Sequence, residues 1–229
     1  VSAYTEHHGV IDPIEWLETH EGAEVIWVPV LDNGLVDLKA LENTLLDRAN
    51  EVALVSLMWA NNETGVITDI QAVTALAAKH KVPVHSDAVA AFGHMPINFA
   101  NSGLAAMSIT AHKVAGPVGV GALILSRSSK VTSLIHGGGQ ERSVRSGTMN
   151  AAGAKAFAHA AELAVAGLLL PPAALGVTVL LLLAVMSCGR GLDWEPFYAL
   201  LMPSQEGAYL SPLLGAAVLK GNSVVWRLV

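Results

Sequence analysis

The stretch that most constrains the fold of this chain is Met107–Leu123, MSITAHKVAGPVGVGAL. An apolar segment ends at Thr110, and a short turn leads from it into a glycine-rich loop. This order predicts that Lys113 lies at the carboxyl end of a buried strand, where open α/β sheets bind their ligands. A lysine held among small and apolar residues loses its proton more easily than in water, and the neutral amine can form a Schiff base with a carbonyl. An ordinary surface lysine beside a turn is the alternative interpretation.

Short apolar segments alternate with helical patterns over the first part of the chain. Leucines with helical spacing follow Asp37, and a second helical pattern follows Asp69, so each aspartate is predicted to cap a helix. A further helix, capped by Asp12, is predicted over 10–19, and a strand over 24–30. The other predicted strands cover 52–57, 82–86, 105–110 and 121–125. The alternation predicts an α/β fold with a mostly parallel sheet.

Polar residues follow three of the predicted strands, namely Asn61–Glu63, Asp87 and His112–Lys113, and we expect them to meet at one edge of the sheet. A lysine and a carboxylate placed in this way match what pyridoxal 5'-phosphate (PLP) requires. The lysine binds the cofactor, and the carboxylate keeps the pyridine nitrogen protonated. The alternative role for Asp87 is to cap a helix.

A second glycine-rich loop, HGGGQERSVRSGT, covers residues 136–148. Its backbone amides, hydroxyls and two arginines could bind an anion, although a flexible surface connection is an equal alternative. Together the segments TEHH, WANNETG, HSDAVAAFG, TAHKVAGPVGVGAL and HGGGQERSVRSGT resemble the cysteine desulfurases, which are PLP enzymes of the class V aminotransferase family. The resemblance covers about residues 1–160 and implies a partial large domain of the type I PLP-transferase fold.

The resemblance implies catalytic roles for two residues. Lys113 matches the lysine that binds the cofactor covalently and moves protons at the substrate α-carbon. His7 matches the histidine that stacks on the cofactor ring and acts as an acid or base, and its alternative role is that of a polar residue in a turn. Asp87 matches the partner of the pyridine nitrogen.

Four more residues match cofactor contacts of the family. Asn62 matches an asparagine near the phenolic oxygen of PLP, although Asn also favours turns. Thr110 and His112 match contacts to the cofactor phosphate. Thr148 matches a threonine that reaches the phosphate of the other subunit, which implies a homodimer. No metal site is implied.

The function implied by the resemblance is transfer of sulfur from L-cysteine to a protein persulfide, with alanine as the product, for iron–sulfur cluster assembly. A sulfur-acceptor or scaffold protein is then the expected partner, and the cytoplasm the expected location. The alternatives are another class V enzyme, such as a selenocysteine lyase or an aminotransferase, and a non-catalytic truncated remnant. Lys and Arg number 13 against 19 Asp and Glu, so the chain has no basic surface that would indicate nucleic-acid binding.

The sequence departs from the family in three places. Ala90 stands where the family often has a glutamine. The phosphate-binding loop of the family lies upstream of Val1. The loop with the reactive cysteine has no counterpart, because the single Cys188 lies too near Lys113 and in the wrong context. These departures leave open whether the chain alone is active.

A hydrophobic tail follows the part that resembles the family. We therefore predict a partial class V domain over residues 1–163 and an unassigned tail over 164–229. The segment 164–187 carries no charged residue and is a possible membrane span, which would allow membrane association. The pair Pro171–Pro172 argues against it, because proline interrupts a helix.

Overall fold

A four-stranded sheet with the order β1-β2-β3-β4 organises residues 1–169, the part of the chain that the computed structural model describes. The strands are β1 Val55–Ser56, β2 Val84–Asp87, β3 Ala106–Thr110 and β4 Gly121–Leu125. β1, β2 and β3 run parallel, and β4 runs antiparallel to β3. The predicted α/β class with a mostly parallel sheet is confirmed.

The helices of the described residues are α1 His8–Glu21, α2 Leu38–Arg48, α3 Ile70–Lys79, α4 Phe99–Ser102 and α5 Ala151–Leu169. Two of the three predicted aspartate caps are present. Asp37 accepts hydrogen bonds from the backbone N–H groups of Lys39 and Ala40, and Asp69 accepts one from Ala72. These bonds satisfy donors that the first turn of a helix leaves free.

The predicted start of the first helix is wrong. α1 is capped by His7, whose Nδ1 atom accepts the N–H of Gly9 at 2.9 Å. Asp12 lies inside the helix and pairs with His8 on its exposed face at 2.9 Å. The helix also tolerates Pro13 in its interior. A histidine nitrogen has replaced the usual oxygen cap, which the sequence pattern did not indicate.

The predicted strand over 24–30 is reduced to isolated bridges from Trp27 to Ser2 and from Val30 to Val36. Ser2 donates to the carbonyl of Ile26 at 3.0 Å and accepts from Val28 at 2.7 Å. The pairing stops there because Pro29 has no N–H and because the partner segment turns away after residue 3. The apolar segment 24–30 therefore has no neighbouring strand with which it could pair over its whole length.

Buried side chains from two helices pack on the sheet. Leu41 and Leu45 of α2 and Val73 of α3 lie in one core with strand residues such as Val55 and Ile124. Each of these helices presents an apolar stripe to the core and its capping aspartate to solvent.

Hydrogen bonds between side chains also link the three parallel strands. His85 of β2 contacts the Ser56 hydroxyl of β1 at 2.8 Å and the Ser108 hydroxyl of β3 at 2.9 Å. Burial lowers the pKa of His85, so the imidazole is neutral and can donate through one nitrogen and accept through the other. The two contacts reinforce the register of the sheet directly beside its carboxyl edge.

The predicted boundary at residue 163 falls within α5, which continues to Leu169. None of the helices in residues 1–169 combines the length and the apolar character needed to cross a bilayer. The first residues of the possible span over 164–187 belong to α5, and the rest of that span, Cys188 and the remaining tail lie outside the described residues.

Neighbouring leucines of α2 offer a matched test of this core. Leu45 is 0% exposed and Leu46 is 62% exposed. We expect Leu45→Ala to lower the free energy of unfolding by about 2–5 kcal/mol, since it removes buried methyl groups and leaves a cavity. Leu46→Ala should change it by about 0.5 kcal/mol or less. Urea unfolding followed by circular dichroism measures both, and equal effects would contradict the assigned face of α2.

Candidate functional site

The carboxyl edge of the sheet is where the ends of β2 and β3 lie side by side. Asp87, the last residue of β2, is in register with Ser108 of β3, and the N–H of Ala88 donates to the Ser108 carbonyl at 2.9 Å. β3 ends at Thr110, and the 3₁₀ turn His112–Val114 follows it. Asp87 and Lys113 therefore lie at the same edge of adjacent parallel strands, as expected from the sequence.

Asp87 is held firmly in place. It is only 8% exposed, its Oδ1 atom accepts the N–H of Val89 at 2.8 Å, and its carbonyl accepts the N–H of Trp59 at 2.8 Å. A turn follows Asp87, and α4 begins only at Phe99. Asp87 is therefore not a helix cap, and its one side-chain hydrogen bond within residues 1–169 is made by Oδ1, which leaves Oδ2 available.

Lys113 lies in a turn that small residues make possible. The N–H of Gly116 donates to the carbonyl of Ala111 at 2.9 Å, and a Cβ atom at Gly116 would lie 2.9 Å from that same oxygen. Val114 is buried and anchors the turn, while the side chain of Lys113 is exposed. His94 contacts the Lys113 carbonyl through Nε2 at 3.1 Å, which leaves the lysine amine available.

Thr110 and His112 are joined next to this lysine. The Thr110 hydroxyl donates to the carbonyl of Val120 at 3.2 Å and lies 3.0 Å from Nδ1 of His112. The backbone N–H of Ala111 donates to the same Val120 carbonyl at 3.0 Å. These bonds fix the end of β3 against the glycine-rich loop directly before Lys113 in the chain.

His7 and Asn62 lie on two loops that touch each other. Nδ2 of Asn61 donates to the carbonyl of Thr5 at 2.8 Å and so joins the loop after β1 to the turn before α1. Asn62 itself is exposed. His7 accepts from Gly9 through Nδ1, so in the neutral imidazole the proton is on Nε2. The nitrogen of His7 that can donate a proton is therefore not the one that caps the helix.

Thr148 lies on a separate loop that precedes α5. The loop is closed by the side chain of Gln140, which accepts the N–H of Gly147 at 2.9 Å, and by Arg145, which donates to the Ser146 carbonyl at 3.2 Å. Thr148 is exposed, and no hydrogen bond within residues 1–169 links it to the edge that carries Asp87.

A cavity of about 540 Å³ lies between the Lys113 turn and α5. Its walls are mainly small or apolar, with two histidines, and include His94, Lys113, Gly116, His159, Leu163 and Ala164. Gly93 allows these walls to approach, because a Cβ atom there would lie 2.5 Å from Val114 and 3.0 Å from Ala164. The lysine turn is thus packed directly against α5.

Sequence reasoning missed one acidic residue of this region. Glu6 is only 6% exposed and accepts the N–H of Met58, while its Oε2 atom has no partner within the described residues. Burial and the nearby Asp87 raise the pKa of Glu6 to about 8, against the opposing effect of the Met58 N–H. The TEHH segment is polar throughout, and local sequence gives no signal that one of its members is buried.

Comparisons with known proteins identify the family of this chain. The family described as aminotransferase class-V matches residues 1–169. An IscS-like cysteine desulfurase of Mycobacterium tuberculosis (strain ATCC 25618 / H37Rv) is 49% identical over 168 residues, covering 73% of this chain and 42% of that protein. A cysteine desulfurase IscS of Dictyoglomus turgidum (strain DSM 6724 / Z-1310) is 41% identical over 165 residues, covering 72% and 41%.

Solved structures give the same result. A NifS-like protein superposes with a TM-score of 0.69 at 39% identity, covering 73% of this chain and 45% of that chain. The NifS-like protein of Rickettsia africae ESF-5 gives a TM-score of 0.67 at 36% identity, with the same coverage of 73% and 45%. The chain spans less than half the length of these relatives. Because the family match covers residues 1–169, this chain belongs to the class V aminotransferase family.

Proposed function

We propose that this chain carries part of the PLP site of a cysteine desulfurase. The observation that carries the proposal is the placement of Asp87 and Lys113 at the carboxyl edge of adjacent parallel strands. The class V aminotransferase family depends on PLP, and the relatives described above are cysteine desulfurases.

The chemistry of these side chains fits the cofactor. The Oδ2 atom of Asp87 is available to accept a hydrogen bond from a protonated pyridine nitrogen, since Oδ1 is already used by Val89. The exposed amine of Lys113 can bond covalently to the cofactor aldehyde. The hydroxyl of Thr110 and the imidazole of His112, which lie 3.0 Å apart, offer hydrogen-bonding groups to a phosphate. Asn62 would contact the phenolic oxygen.

When bound, PLP would withdraw electrons from the α-carbon of the substrate. Asp87 would keep the ring nitrogen protonated, and Lys113 would remove and return the α-proton. His7, with its proton on Nε2, would stack on the ring and act as an acid or base. These three residues would orient the cofactor ring and move protons at the substrate, while Thr110, His112 and Asn62 would hold its other groups.

The proposed reaction transfers a sulfur atom from L-cysteine to a protein thiol. The Cβ–S bond of the substrate breaks, a thiol becomes a persulfide, and the amino acid leaves as alanine after it gains a proton. The sulfur would then pass to an acceptor or scaffold protein for iron–sulfur cluster assembly in the cytoplasm. In a homodimer, Thr148 would contact the phosphate bound to the partner subunit.

Covalent binding of PLP tests the assignment of the lysine. We expect the full chain mixed with PLP to show visible absorbance and, after borohydride reduction, to carry the added mass on the peptide that contains Lys113. Lys113→Ala should abolish both signals, because within residues 1–169 no other lysine follows the carboxyl end of β3 in the turn next to it. The measurements are an absorbance spectrum and peptide mass analysis.

Lys155→Ala is the matched control, since Lys155 is an exposed lysine of α5. It should keep the absorbance and the added mass. Unchanged labelling in Lys113→Ala, or labelling of Lys155 instead, would show that the lysine has been assigned wrongly.

The role of Asp87 is tested by Asp87→Asn. The amide oxygen can still accept the N–H of Val89, so the turn is kept while the charge is lost. A hydrogen bond to a charged group contributes about 1.5–3 kcal/mol, so we expect the Kd for PLP to rise about tenfold to hundredfold. Titration of the chain with PLP, followed by absorbance, measures this change.

Asp69→Asn is the control, because Asp69 also accepts a backbone N–H but is a helix cap with no assigned contact to the cofactor. It should leave the Kd for PLP unchanged. If both variants bind PLP like the unaltered chain, Asp87 does not contact the pyridine nitrogen.

The substrate class is tested with the PLP-loaded full chain. Alanine formed from L-cysteine, with a persulfide on an added thiol, would support a desulfurase. Transfer of the amino group to a 2-oxo acid would indicate an aminotransferase, and release of selenium from selenocysteine in preference to sulfur would indicate a selenocysteine lyase. Binding of PLP without any turnover would indicate a non-catalytic remnant.

A further inference from the structure

The chain before α1 begins as a partner of β1 and then leaves it. The amino group of Val1 donates to the Leu54 carbonyl at 2.9 Å, and the N–H of Ser56 donates to the Val1 carbonyl at 2.9 Å. In a parallel ladder the next two bonds would join Ala3 to the Ser56 carbonyl and to the N–H of Met58. Neither bond is present, and the Ala3 carbonyl accepts the N–H of Glu6 at 3.1 Å instead.

Two side chains take the places of the missing backbone partners. The hydroxyl of Ser2 donates to the Ser56 carbonyl at 3.0 Å. The Oε1 atom of Glu6 accepts the N–H of Met58, where the carbonyl of Ala3 would have been. Since buried backbone donors are almost always paired, the Glu6 carboxyl has a defined structural task.

The surroundings of Glu6 are unfavourable for a negative charge. Its Oε2 atom is buried without a hydrogen-bond partner, and Glu6 forms no ion pair within residues 1–169. Asp87 on β2 is the charged group that acts on it, and it repels a second carboxylate. An unpaired buried charge next to a like charge is strongly disfavoured, so one of two neighbouring carboxyl groups keeps its proton.

We propose that Glu6 is a positioning residue that holds the Thr5–His7 turn on Met58 as an uncharged carboxylic acid and leaves the negative charge of this edge on Asp87. The turn is then fixed at two adjacent residues, because Asn61 binds the Thr5 carbonyl at 2.8 Å. His7 follows Glu6 directly and caps α1, so the hydrogen bond between Glu6 and Met58 helps to position the His7 ring. What His7 and Asp87 bind at this position rests on the proposed function, whereas the protonation of Glu6 does not.

The pH dependence of stability tests the uncharged state without any cofactor. The pKa of Glu6 is raised to about 8 in the folded chain, above its ordinary value of 4.5 in the unfolded chain. Between these values the folded chain keeps a proton that the unfolded chain releases, so this group lowers the stability of the fold as pH rises. This loss of stability is complete once the pH exceeds the pKa of Glu6 in the folded chain.

We expect the urea midpoint of the full chain to fall relative to that of Glu6→Gln as the pH rises from about 5 to about 8. The glutamine oxygen can still accept the N–H of Met58, but it carries no charge at any pH. Glu18→Gln, at an exposed glutamate of α1, is the control and should parallel the unaltered chain. If Glu6→Gln also parallels the unaltered chain, Glu6 is ionised and the proposal is wrong.

An infrared difference spectrum reports the same proton directly. The unaltered chain minus Glu6→Gln should show the C=O stretch of a protonated carboxyl group near neutral pH, and a carboxylate band in its place would overturn the proposal. This measurement needs only the unaltered chain and Glu6→Gln, and it requires no unfolding experiment.

PLP titration tests the positioning role of the hydrogen bond between Glu6 and Met58. Glu6→Gln should keep the PLP affinity of the unaltered chain, while Glu6→Ala, which leaves Met58 unpaired, should weaken it about tenfold or more through loss of the His7 position. Equal PLP affinity in the unaltered chain and in a folded Glu6→Ala variant would remove the positioning role. If no chain binds PLP, the proposed function fails, and the two cofactor-free measurements still decide the state of Glu6.

Discussion

The register between β1, β2 and β3 is the constraint on which the candidate site depends. Successive side chains of a strand point to opposite faces, so a slip of one residue would move Asp87 to the other face of the sheet. Backbone bonds pair Ser56 with His85 and Asp87 with Ser108. The imidazole of His85 bonds both serines. Any other register would separate these three polar groups within the sheet.

Close backbone contacts then fix the position of the Lys113 turn relative to these strands. Gly93 lets the segment after β2 lie against Val114, and Gly116 lets the turn after β3 fold back on Ala111. Both contacts are shorter than a Cβ atom would allow. The Lys113 side chain is exposed, but the backbone turn that carries it is packed against Gly93 and Ala111. A mobile surface loop would not hold a reactive group at a constant place relative to Asp87.

Local chemistry explains which features could be predicted from sequence. An aspartate before a helical stripe, as at Asp37 and Asp69, forms its cap with the next few residues and needs no distant partner. The end of β3 before Lys113 was equally predictable, since an apolar run met a glycine-rich loop. The strand over 24–30 failed because its pairing depended on a segment that turns away after residue 3. Burial of Glu6 depends on that same turn, so its role was invisible in the sequence.

The two carboxyl groups at this edge show why a functional site costs stability. Burial makes Asp87 a stronger partner for a cation, because a charge interacts more strongly where water is excluded. The same burial makes the neighbouring Glu6 unfavourable as an anion, and the Asp87 charge adds to that effect. A residue chosen for stability alone would be neutral at position 6, yet it would also have to accept the N–H of Met58. A protonated glutamate meets both requirements, and its remaining ionisation couples the stability of the turn at His7 to pH.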